Sequence, residues 1–173
     1  MEVTASDDLR EIFTTGLRNA HAMEKQALSI MEPQLQRLEN YPEIGQRLEA
    51  HIRETNGQIE RLDTILEELG ESSSGLKDVA QSVAGSLAAM GHTMAGDEIL
   101  KNSLANFAFE NFEIAAYTSL VTLAEAGGFR NAKAPLAQSL DEEQAMAEWI
   151  GTHLPETTLR FVHLREAGAQ ASH

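Results

Sequence analysis

The stretch Leu104-Ala105-Asn106-Phe107-Ala108-Phe109-Glu110-Asn111-Phe112-Glu113-Ile114-Ala115-Ala116-Tyr117 decides how the rest of the chain is read. Leu104, Phe107, Ile114 and Tyr117 fall at three- and seven-residue steps, the repeat of one face of an α-helix. Glu110 stands inside that face, and Glu113 follows one turn later. Burying an unpaired carboxylate is costly, so a glutamate on a core-facing stripe needs a proton, a base or a cation beside it.

Outward from this stretch, the helical pattern extends over 97–126 with Ile99, Leu100, Leu120, Val121 and Leu123, and Gly127-Gly128 stops it. A following helix over 131–153 carries Leu136, Leu140, Ala147 and Ile150, with Glu143 set between Leu140 and Ala147. Pro155 lies just beyond it, and a short last helix over 156–166 is expected to pack outside. Upstream, a helix begins at an N-cap of Ser6 or Asp7 and runs to about residue 39. Leu9, Phe13, Leu17, Ala20, Ala27, Leu28 and Met31 form its stripe, Glu24 interrupts it, and Pro33 should kink it. A helix over 42–69 opens on Pro42, a fitting first-turn residue, and carries Ile44, Leu48, Ile52, Ile59, Leu62 and Leu66. Glu54 falls on its Leu48–His51–Gln58–Leu62 edge. No segment alternates as a strand does, so the class is all-α.

Each long helix therefore brings one glutamate toward a core, and their levels agree. Glu24 and Glu54 are centred on residue 39, the first turn; Glu110 and Glu143 are centred on the Gly127-Gly128 turn. In an antiparallel hairpin, residues equidistant from the turn share a height, here ~23 Å from it at ~1.5 Å per residue. The link over 70–96 is far too long for a tight turn. A helix over 76–90 would carry the chain ~22 Å back along the bundle. That long crossover separates a ferritin-like four-helix bundle from a simple up-and-down bundle.

Carboxylates gathered at one level repel one another unless protons or cations neutralise them. Hard oxygen ligands suit iron, manganese or magnesium, and one glutamate from each helix is the di-iron or di-manganese carboxylate arrangement. The alternative is a metal-free cluster sharing protons or salt bridges. His21 and His51 each precede a candidate glutamate by three residues, so they are candidate supporting groups beside it, as is Tyr117 one turn beyond Glu113. Gly57, in mid-helix, either permits a close helix approach or leaves room for a ligand.

Composition narrows the function classes. The 173 residues suffice for one domain with a real core, its bundle over about 7–154, and 42% hydrophobic content is a globular value. No apolar run approaches the ~20 residues that span a bilayer, and the first residues are acidic where a signal peptide would be basic. A cytoplasmic location is expected. Thirteen basic residues against 27 acidic ones, net −14, argue against nucleic acid or an anionic membrane face as partner. Without cysteine there is no disulfide, zinc–thiolate or rubredoxin-type site.

The segments Ala22-Met23-Glu24-Lys25-Gln26, Glu54-Thr55-Asn56-Gly57-Gln58-Ile59-Glu60-Arg61, Glu113-Ile114-Ala115-Ala116-Tyr117 with Thr122-Leu123-Ala124-Glu125, and Leu140-Asp141-Glu142-Glu143 resemble the YciF-like family of bacterial ferritin-like proteins. The resemblance spans roughly residues 7–154. It implies a ferritin-like bundle, a homodimer, and a place in bacterial stress responses. By analogy with rubrerythrin and other di-iron bundles, it nominates Glu24, Glu54, Glu110 and Glu143 as the four carboxylate ligands, Glu54 and Glu143 bridging. The Glu110-Asn111-Phe112-Glu113 run adds Glu113 as a fifth. The usual Glu-x-x-His pattern is broken, because Gly57 and Met146 stand where histidines would; Gln58 is a candidate carbonyl ligand in their place. Two function classes stay open. One is a non-haem iron or manganese protein of oxidase or peroxidase type that draws on an external electron donor. The other is a non-enzymatic dimeric helical stress protein whose carboxylate cluster is structural.

Overall fold

The computed structural model describes residues 6–73 and 96–173, and these form four long helices. They are α1 (Asp7–Arg37), α2 (Pro42–Glu68), α3 (Glu98–Gly127) and α4 (Arg130–Glu166). No strand occurs among the described residues. Ser6 caps α1 by accepting the backbone N–H of Leu9 at 3.2 Å, which satisfies one of the unpaired donors of the first turn. Pro42 opens α2 where its missing N–H has no partner to lose.

Three left-handed glycines close helix ends, Gly168 (φ 68°) doing so after α4. Gly70 (φ 72°) lets Glu71 N–H reach back to Leu66 O at 2.9 Å, and Gly128 (φ 68°) lets Phe129 N–H reach Ala124 O at 2.9 Å. The second turn leaves only Gly128 and Phe129 between α3 and α4, so those helices are forced antiparallel. Phe129 then stacks on Phe13 of α1, with ring centroids 4.4 Å apart, and ties the turn to the first hairpin.

The packing is a square in which α1 contacts α2 and α3, and α4 contacts α3 and α2. Its centre is filled by Phe13, Leu17, Met23, Leu62, Leu66, Tyr117 and Leu136. The chain leaves α2 beside the start of α1, where Arg10 donates to Leu69 O and Arg18 pairs with Glu71 at 2.7 Å. It enters α3 at the other end, where Arg37 pairs with Glu98 at 2.6 Å. Arg10 and Arg37 are separated by roughly 40 Å of helix at ~1.5 Å per residue, so the end of α2 and the start of α3 lie at opposite ends of the bundle. The helix expected over 76–90 lies outside the described residues.

Several sequence expectations need correction. The first helix ends at Arg37, two residues before the end read from the sequence, and stays helical through Pro33, whose one lost backbone bond is small beside the packing of its buried face. Pro155 does not separate a short last helix either. It lies inside α4, which continues to Glu166 and is held beyond the proline by tertiary contacts. Thr157 is buried, Arg160 Nε donates to Asn40 O at 2.6 Å, and its guanidinium lies 5.7 Å from the Tyr41 ring centroid. After α4 the chain folds back: Tyr41 donates to Ala171 O at 2.6 Å, and Ile99 N–H to Ser172 O at 2.8 Å. The stripe on α3 is also rotated from the one read in the sequence. Leu104 and Phe107 are 56% and 39% exposed, and Phe109 turns inward at 7%. This helix is apolar on several faces, so hydrophobic period alone leaves its rotation undefined.

Candidate metal centre

At mid-height the apolar core gives way to polar side chains from all four helices. Glu24 (α1), His51, Thr55 and Gln58 (α2), Glu110, Glu113 and Tyr117 (α3), and Glu143 (α4) are all buried. The step pattern on α2 explains its contribution: Leu48, His51, Thr55, Gln58 and Leu62 are spaced three, four, three and four, so all share the inner face. On α3 the inner face is Phe109, Glu110, Glu113, Tyr117 and Leu120.

His51 is the hinge of the arrangement. Its Nδ1 lies 2.9 Å from Glu54 Oε2, and its Nε2 lies 3.2 Å from Glu110 Oε2 and 3.4 Å from Glu143 Oε2. His51, Glu110, Glu113 and Glu143 each offer one ligand atom within 4.8 Å of the others. Around them, Tyr117 donates to Glu24 Oε1 at 2.6 Å. Gln58 Nε2 donates to Glu142 Oε2 at 3.1 Å and to Glu143 Oε1, and Arg61 closes this side by donating to Ser139 Oγ at 3.1 Å and to Glu142.

Each expected residue can now be placed. Glu24, Glu110, Glu113, Glu143 and Gln58 come together in the core, with Tyr117 against Glu24. Glu54 does not join them: its side chain is 32% exposed and turned toward Arg47 (3.0 Å) and the outer nitrogen of His51. His51, expected beside the cluster, stands in it. His21 faces away and pairs with Asp63 at 3.3 Å. Sequence reasoning passed over Thr55 and the Arg61–Glu142 pair that backs Gln58. The three-four spacing on α2 carried the signal for Thr55, since it puts Thr55 midway between His51 and Gln58.

The electrostatics follow from four buried carboxylates around one imidazole. Burial, then repulsion from Glu143, pushes Glu24 well above the usual carboxylate range. Burial, then Glu24, does the same to Glu113. Burial raises Glu110 to about 7 against the pull of His51. Burial alone would depress His51, but hydrogen bonding to Glu110, Glu143 and Glu54 outweighs it and holds the imidazole well above its ordinary value. Burial works against ionised Glu143 too, yet the His51 bond and charge hold it below the ordinary value.

The donor atoms fit a cation. Five buried oxygens of this group accept no hydrogen bond among the described residues: Glu24 Oε2, Thr55 Oγ1, Gln58 Oε1 and both oxygens of Glu113; Glu110 Oε2 and Glu143 Oε2 face only His51 Nε2, at 3.2 and 3.4 Å. Buried polar atoms are ordinarily paired, and each exception asks for a missing partner. A set of hard oxygens with one imidazole nitrogen is the chemistry that iron and manganese accept.

Comparison with known proteins agrees with this architecture. The family described as "Domain of unknown function (DUF892)" matches residues 8–163. Protein YciF of Escherichia coli (strain K12) is 32% identical over 148 residues, covering 79% of this chain and 84% of that protein. A crystal structure of a protein from Xanthomonas campestris pv. campestris superposes with TM-score 0.78 at 31% identity, covering 92% of this chain and 99% of that one. The crystal structure of the E. coli stress protein YciF superposes with TM-score 0.74 at 27% identity, covering 86% and 96%.

Proposed function

The chain belongs to the DUF892 family of YciF-like helical bundles, and on that premise we propose that it is a ferritin-like stress protein holding a di-metal centre of iron or manganese. The observation that carries this reading is the group of five unpaired buried oxygens beside a single imidazole and its carboxylates. Bound iron or manganese supplies one-electron chemistry toward dioxygen or hydrogen peroxide. The protein's own residues do the rest. Glu110, Glu113 and Glu143 offer oxygens, and His51 offers Nε2. Glu54 accepts the Nδ1 proton of His51, fixing the tautomer that presents Nε2 inward. Tyr117 occupies one oxygen of Glu24 and leaves the other free. Because the chain has no cysteine, sustained turnover needs an electron donor from outside.

The test is elemental analysis of protein purified without chelator, beside a Glu113→Ala/Glu143→Ala variant. About two iron or manganese atoms per chain, lost in the variant, are expected. Protein that stays metal-free after anaerobic ferrous loading overturns the reading. The upward displacement of Glu24, Glu110 and Glu113 favours the second reading, a structural bundle whose carboxylates are neutralised by protons. That reading requires equal melting temperatures with and without metal.

For the partner, we propose a second copy of the chain packed along the exposed face of α3. Leu104, Phe107 and Phe112 are exposed there, on a protein of net charge −14 that would otherwise repel its copy. No helix among the described residues is long and apolar enough to cross a membrane, and a cytoplasmic site of action is part of this proposal.

A further inference from the structure

The hydrogen bonding divides the polar core into two unlike halves. Glu143 faces both. Its Oε2 is 3.4 Å from His51 Nε2, while its Oε1 accepts from Gln58. On the first side stand His51, Glu110 and Glu113, a set that includes a nitrogen and two further carboxylates.

The second side is built differently. The Gln58 amide has one sensible orientation, because its NH2 faces the carboxylates of Glu142 and Glu143, where a carbonyl would be repelled. Its Oε1 is therefore left fully buried with no donor. Thr55, one turn earlier on the same face of α2, is also fully buried with an unpaired Oγ1. Glu24 lies outside the four-residue set around His51 and enters the buried polar core from α1 beside Tyr117. Tyr117 holds Glu24 Oε1, and Oε2 is unpaired. This side offers oxygen alone, and two of its oxygens are neutral.

We infer that the two ion positions are unequal: a tight position with the His51 imidazole, and a weaker all-oxygen position formed by Glu24, Glu143, the Gln58 carbonyl and the Thr55 hydroxyl. The inference rests on the metal-centre reading above. An imidazole and several carboxylates bind a borderline transition ion more strongly than a set diluted by neutral carbonyl and hydroxyl oxygens. The weaker position discriminates less among transition ions and is the one that exchanges.

The experiment is anaerobic titration of chelator-treated full-length protein with Mn(II), followed by calorimetry, metal content and electron paramagnetic resonance. Wild type should fill in two steps separated by roughly tenfold or more in affinity, the second step bringing the signature of a spin-coupled pair. Gln58→Leu should lose the second step, keep the first nearly unchanged, and show only the single-ion signal. Gln58→Leu also strips a hydrogen bond from Glu143, so Thr55→Val serves as the check on folding. It keeps the Gln58–Glu143 bond, removes only the Thr55 hydroxyl, and should weaken the second ion while leaving the first unchanged. Two ions of equal affinity in wild type, or both retained in Gln58→Leu, would overturn the inequality and leave the metal centre standing. A wild type that takes up no ion would overturn the centre itself.

Discussion

Raising the pH should weaken the metal-free protein, and Glu110 sets how much. Its carboxyl is displaced from the ordinary 4.5 to about 7, so the fold favours its protonated form. A group raised in this way contributes stability that is fully present below its ordinary value and lost as pH climbs through about 7. At ~1.4 kcal/mol per pH unit of displacement, Glu110 alone accounts for about 3 kcal/mol. For a chain of this size that is about 6–12 °C in melting temperature. Glu24, Glu113 and His51 are displaced upward as well and add in the same direction. Glu54 and Glu143 are displaced downward, so their contribution is lost only as pH falls below the ordinary carboxylate value, outside the window. The assay is thermal unfolding of chelator-treated protein by circular dichroism from about pH 5 to about pH 8, with Glu110→Gln in parallel. The melting temperature of wild type should fall across that range, and Glu110→Gln, which cannot ionise, should lose about 3 kcal/mol of the slope. A flat or rising wild-type curve, or an unchanged slope in Glu110→Gln, would refute the reasoning. Loading with Mn(II) should reverse the trend, because ligands bind metal in their deprotonated forms.

Other expectations follow from the same geometry. Glu54→Gln removes the anionic acceptor on His51 Nδ1 (2.9 Å) and should weaken metal binding by about 10–100-fold, read by titration, while the fold is little changed. Tyr117→Phe removes the donor to Glu24 (2.6 Å) and should destabilise the metal-free protein by about 1–3 kcal/mol in urea unfolding, since a buried carboxyl loses its partner. Leu104→Glu with Phe112→Ser should convert a dimer to a monomer in light scattering, with metal content unaltered; an unchanged mass would place the interface elsewhere.

The periodicity of apolar residues determined the all-α class and four long helices, because helix amphipathicity is a local property that survives without tertiary contacts. Gly70 and Gly128 marked two of their ends, since only glycine enters the left-handed region without strain. The equal spacing of Glu110 and Glu143 from their turn placed that pair in the core together, as rigid antiparallel helices must, whereas of the matching Glu24–Glu54 pair only Glu24 is buried. Rotation within a helix was another matter. A step of one residue turns a side chain by about 100°, and α3 is apolar enough that Phe107 and Phe109 compete for the core on equal terms. The packed square settled that contest and sent Phe109 inward. On α2 the three-four spacing put His51 on the inner face and left Glu54, three residues on and also polar, at its edge. Only the tertiary structure shows His51 turned into the carboxylates and Glu54 turned out toward Arg47, because that choice depends on the charges presented by α3 and α4. Local pattern decides which residues form a helix, and the facing helices decide which of its polar groups they will accept.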